Sequence, residues 1–62
     1  MRSVKFRDLT GEQQDVASGM RGGCSIVFRA ARLNGLDVLF MERSDGALFY
    51  WSDSCQYWYE LK

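Results

Sequence analysis

The sequence predicts an α+β fold: a single small domain over residues 1–62, with one N-terminal helix packed on a three- to four-stranded antiparallel β-meander. Three observations predict it. Residues 36–61 hold most of the aromatic side chains, in short β-branched and aromatic runs broken by turn residues. A helix-start signal and an apolar stripe at helical spacing lie within residues 9–20. Two turn sequences, Asn34-Gly35 and Ser44-Asp45-Gly46, stand at spacings that hold one register across successive strands.

In chain order, Ser3 to Arg7 alternate Val4 and Phe6 with polar residues, as in a short strand or an extended arm. Thr10 then stands three residues before Gln13, the spacing of a capping box. Glu12 and Asp15 lie early in the helix, where its dipole favours negative charge. Leu9, Val16, Ala17 and Met20 form the apolar stripe, and Gly22-Gly23 ends the element. The helix expected over residues 10–20 is a lid for one face of a sheet.

Residues 25–33 are ambiguous. As a strand they run into Asn34-Gly35, a two-residue hairpin signal. Leu33 then pairs with Leu36, Ala31 with Val38 and Arg29 with Phe40. As a helix, Ser25 caps, and Ile26, Val27, Ala30, Ala31 and Leu33 form a broad apolar face. Continuity of register into the next hairpin favours the strand.

From Leu36 onward three strands are expected. Gly46 takes the left-handed position of a three-residue loop. Met41 then opposes Phe49, Leu39 opposes Trp51, and Phe40 opposes Tyr50. A second turn at Asp53-Ser54 sets Cys55 beside Ser52. Phe49 and Trp58 share one face with Trp51, which marks Trp51 and Trp58 as core. Leu36, Val38, Phe40, Leu48, Tyr50, Tyr57 and Tyr59 share the other. Both faces are apolar, and one helix covers only one of them.

Bulk properties exclude several classes. A chain of this length buries about 60% of its unfolded surface, so its core is small. At 47% hydrophobic it is far from a disordered composition. No apolar run reaches the ~18 residues of a membrane span, and the N-terminus has no apolar signal-peptide region. Two cysteines without a signal point to free thiols and a cytoplasmic setting. Their strands start at opposite ends of the meander, so they are expected unpaired and half-buried. Net charge is zero, divided as +3 over residues 1–32 and −3 over residues 33–62.

Catalytic residue types are sparse. There is no histidine, which removes Ser-His-Asp and Cys-His arrangements and the commonest metal ligand. Two cysteines thirty-one positions apart make no zinc site, and no phosphate-cradling glycine loop occurs. The carboxylates fall at turns and on separate strands. The expectation is no enzyme, no metal and no cofactor.

Three binding readings remain. The first is a non-catalytic protein-interaction module, of the general character of small inhibitors or regulators from mobile genetic elements. It binds another protein, or a second copy as a homodimer, through Val38, Phe40, Tyr50, Tyr57 and Tyr59. The second rests on residues 10–35. Leu9 to Ala17 followed by Ser25 to Gly35 resembles a helix-turn-helix, which implies DNA contacts from Arg21, Arg29 and Arg32. It departs from that pattern in carrying Gly19, Gly22 and Gly23 through the turn. The third stacks single-stranded nucleic acid on Phe40, Tyr50, Tyr57 or Tyr59, on a face where Arg29 is basic and Glu42 acidic.

Overall fold

Each strand pairs with its neighbour in sequence, so the chain builds an antiparallel meander with a helix inserted after its first strand. The computed structural model describes residues 1–61. Its elements are β1 (Arg2–Val4), a 3-10 turn (Phe6–Asp8), α1 (Gly11–Met20), β2 (Ile26–Leu33), β3 (Leu36–Arg43), β4 (Leu48–Ser52) and β5 (Tyr57–Glu60). The five strands lie in the order β1-β2-β3-β4-β5. This is the α+β domain expected, with one strand more: the N-terminal segment pairs Arg2 with Ala30 and Val4 with Phe28 as an edge strand.

The ambiguous segment is β2. Its pairing with β3 runs unbroken from Ile26↔Arg43 to Leu33↔Leu36, as the strand reading requires. The helix-turn-helix reading of residues 10–35 is thereby corrected, because its second helix is a strand. The physical reason lies in the hairpin that follows. Asn34 and Gly35 both take positive φ, 52° and 79°, the backbone of a two-residue turn whose twist matches the strands. The same residues at a helix end would need only one left-handed position. At the next turn Gly46 has φ 96°, and its N–H donates to the Arg43 carbonyl at 3.0 Å.

The β4–β5 connection differs from expectation. Residues 53–56 form a four-residue turn, so Ser52 pairs with Tyr57 and Trp51 with Trp58. Side chains build the wider loop. Asp53 accepts from the Trp51 indole at 2.9 Å, and its carbonyl accepts from the Gln56 amide at 2.7 Å. Cys55 N–H donates to the Ser52 hydroxyl at 3.4 Å, and Gln56 closes the turn at φ 52°. The register slips by two residues, a full strand period, so every residue keeps its expected face. Cys55 lies exposed in this turn rather than half-buried at a strand start, while Cys24 is half-buried; both are free thiols.

Helix α1 begins on the expected capping box. Gln13 N–H donates to the Thr10 hydroxyl at 3.2 Å, and Thr10 N–H donates to the Gln13 side chain at 2.9 Å. It covers the face that carries Phe28, Met41, Phe49, Trp51 and Trp58, and Leu9 and Ala17 complete the buried cluster. Trp58 is fully buried, and its indole N–H donates to the Gln13 carbonyl on the helix at 3.1 Å. Trp51 meets Trp58 edge-on with ring centroids 5.2 Å apart, and Phe28 lies 5.6 Å from Trp58. Both indoles are core, and both N–H groups are satisfied.

Arg43 closes the other end of the helix. It donates to the Met20 carbonyl at 2.9 Å, lies over the Phe49 ring at 5.2 Å, and forms a two-bond pair with Asp45, the shorter at 2.8 Å. The helix has no basic residue in its own last turn, so this sheet residue supplies the donor. The Arg43 hydrogen bond, then that of the Ala47 N–H, holds the Asp45 carboxyl below its ordinary value.

Two expected outcomes follow from this packing. Trp58→Ala removes the centre of the core and should lower unfolding free energy by roughly 3–5 kcal/mol, measured by urea denaturation; full retention of stability would move Trp58 out of the core. Asp45→Asn should destabilise at neutral pH and lose that effect in acid. A carboxyl depressed in the folded state stabilises above its unfolded value, near 4, and that contribution vanishes as pH falls through the folded value. Paired denaturation curves at pH 7 and pH 2 check this.

Candidate interaction face

Alternation along the strands assigns the second face residue by residue. Register brings Arg29, Phe40, Tyr50 and Tyr59 into one row across β2 to β5. Val27, Glu42 and Leu48 form the row on one side. Ala31 and Val38 form the row on the other, with Ser52 and Tyr57 in the outer strands. Leu33 and Leu36 extend it at the tip of the β2–β3 hairpin. All five residues expected at a partner-binding site, Val38, Phe40, Tyr50, Tyr57 and Tyr59, therefore lie together on this face.

No element packs on it among the described residues. Val38, Phe40 and Tyr50 are half-buried by their neighbours in the sheet. Tyr57 and Tyr59 are 46% and 41% exposed, and Leu36 at the hairpin tip is 69% exposed. Tyr59 meets both other tyrosines: Tyr50 and Tyr59 have ring centroids 6.0 Å apart, and Tyr57 meets Tyr59 edge-on at 5.7 Å. Beside them Val27, Arg29, Phe40, Glu42 and Leu48 line a shallow open hollow with Gly46 and Met1. Val27, Leu33 and Leu61 belong to the face and were not singled out from sequence. The signal that finds Val27 and Leu33 is the same two-residue period, applied past the aromatic strands into β2.

The charges on this face are few and matched. Arg29 and Glu42 lie diagonally across β2 and β3, with 3.8 Å between Nη1 and Oε1, and both are half-exposed. The three arginines expected at a nucleic-acid site do not gather. Arg21 ends the helix, Arg29 lies on the tyrosine face, and Arg32 points to the opposite side of β2, where it pairs with Asp37 at 3.3 Å. Two of the three are thus already engaged by carboxylates.

At the rim of the face, the Tyr59 phenol, then the Ser52 and Ser54 hydroxyls, holds the Cys55 thiol below its ordinary value. The same contact raises the Tyr59 phenol. Among the described residues no three Asp, Glu or Cys side chains converge as metal ligands, and no helix is long and apolar enough to cross a membrane.

The fold and the face together define a small α+β domain with one covered and one uncovered sheet surface. No family model, curated protein or solved structure matches the chain.

Glu42→Gln should change monomer stability by less than ~1 kcal/mol, because half-exposed ion pairs are weak. Thermal denaturation of the two proteins at equal concentration checks this; a larger loss would mean that the pair is a structural tie rather than a surface feature.

Proposed function

We propose that this domain works by stoichiometric, non-catalytic binding of a protein surface to its tyrosine-bearing sheet face. The observation that carries the reading is the allocation of side chains. Phe40, Tyr50, Tyr57, Tyr59 and Val38 share one uncovered face whose Arg29 and Glu42 balance each other. Exposed apolar patches of this kind mark interfaces, and tyrosine is enriched among the residues that dominate binding energy. Tyrosine suits such a face because its ring gains from burial while its hydroxyl stays in contact with water before binding. The mode of action is occupation of a partner's surface, as in a small inhibitor or regulator of the kind carried by mobile genetic elements. Two free thiols fit a cytoplasmic setting.

The test is affinity capture from a host extract with wild-type, Phe40→Ala and Tyr50→Ala baits, followed by calorimetry with the captured protein. Each alanine change should weaken association by at least ~1–2 kcal/mol while unfolding stays cooperative. Arg29→Ala and Arg32→Ala should matter less. If the arginine changes abolish binding, DNA affinity falls steeply with salt and Phe40→Ala is silent, the protein-binding reading is wrong.

A further inference from the structure

We infer that the protein surface seated on the tyrosine-bearing face is a second copy of this chain. Two domains then pack sheet on sheet as a symmetric dimer, in the layer order helix, sheet, sheet, helix. This rests on the reading that the face binds protein, and adds which protein.

The first argument is charge. In a two-fold interface the same patch meets itself, so it must complement its own charge pattern. A patch with excess charge of one sign repels its copy. This face carries Arg29 and Glu42 at 3.8 Å, one of each sign, within an otherwise apolar and hydroxyl-bearing surface. A nucleic acid or an anionic membrane calls for several uncompensated cations, and Arg29, the cation on this face among the described residues, already has its counter-ion.

The second argument is area. Five strands of 3, 8, 8, 5 and 4 residues at about 4.8 Å spacing present on the order of 450 Å² in projection. Side chains that stand out from the sheet add to that projected area, which brings it toward the ~800 Å² each partner contributes to a standard interface. The exposed apolar side chains extend across that area: Val27 and Leu48 lie at the hollow on one side of the tyrosines, Leu36 on the other. A flat, extended apolar surface is matched by another flat sheet, and sheets stacked face to face pack about 10 Å apart with interleaved side chains. Phe40 and Tyr50, paired across the central strands, fall at the middle of that contact.

The experiment is sedimentation equilibrium from micromolar concentration to about 1 mM, on the full chain and on three variants. Wild type should reach twice its 7.2 kDa chain mass. Arg29→Glu gives a face with two negative charges, and Glu42→Arg gives one with two positive charges. Each alone should raise the dimer dissociation constant at least about 10-fold, and an equimolar mixture of the two should recover dimers. Recovery on mixing requires the two faces to meet, whatever their rotation. Tyr59→Lys, at an exposed position, is the independent check and should also favour monomer. Near-ultraviolet circular dichroism of the buried Trp51–Trp58 pair reports that each variant is folded. A wild-type chain that stays at 7.2 kDa throughout overturns the inference, as does a dimer indifferent to all three changes. In the monomeric case, capture of another protein that depends on Phe40 and Tyr50 leaves the protein-binding reading standing; loss of both removes it as well.

Discussion

A β-strand sends successive side chains to opposite faces, and among the described residues one α-helix of 10 residues is present to cover a five-stranded sheet. The rest of the structure follows from that mismatch. A helix of this length spans about 15 Å, enough for one face, and α1 lies against it with Ala17 buried and Gln13 bonded to Trp58. The 3-10 turn extends the cover, bringing Phe6 to within 6.0 Å of Phe28. Nothing remains in the described chain to do the same for the second face. Its apolar residues are nevertheless as regular as those of the first, because one register sets both.

That register is held by hairpins whose chemistry is local. Asn34-Gly35 and Ser44-Asp45-Gly46 require left-handed backbone at defined positions, and a slip of one residue at either would exchange the two faces. Arg43 ties the second hairpin to the helix, joining Asp45 in the turn to the Met20 carbonyl. The guanidinium thereby satisfies a helix end, orders a turn and lies on a core ring together. Truncating it would disturb three elements, whereas Arg29, half-exposed on the tyrosine face, forms its ion pair with Glu42 of the neighbouring strand.

What was legible in the sequence was whatever depends on period and on turn backbone. The β2–β3 and β3–β4 pairings follow from Asn34-Gly35 and Gly46 alone, and so do the face assignments of Phe40, Tyr50 and Trp51; Trp58 keeps its expected face because the β4–β5 turn is longer by a full strand period. The β4–β5 turn was not legible as four residues. Its length is set by side-chain bonds from Trp51 to Asp53, Gln56 to Asp53 and Cys55 to Ser52, which exist only once the strands are paired. The short edge strand Arg2–Val4 was marginal for a similar reason, since three residues carry little pattern and gain their place from Phe28 to Ala30 on β2. Arg43 as the donor to the helix end was invisible, because the contact spans 23 positions and no local signal marks it.

The two faces differ in a way that hydrophobicity alone does not capture. Both indoles lie on the covered face, where each N–H has a fixed acceptor, Asp53 for Trp51 and the Gln13 carbonyl for Trp58. All three phenols lie on the uncovered face. An indole has one donor and no acceptor, so a single fixed partner satisfies it and it can be buried permanently. A phenol both donates and accepts, which one buried partner does not fully satisfy but water does. Tyrosine is therefore the aromatic residue that can stand in solvent and later be covered at low polar cost. This sorting separates the aromatic residues that hold the domain together from those that stand in solvent. The tryptophan face supplies the fold, and the tyrosine face is the one to which the proposed partner would bind without the core being opened.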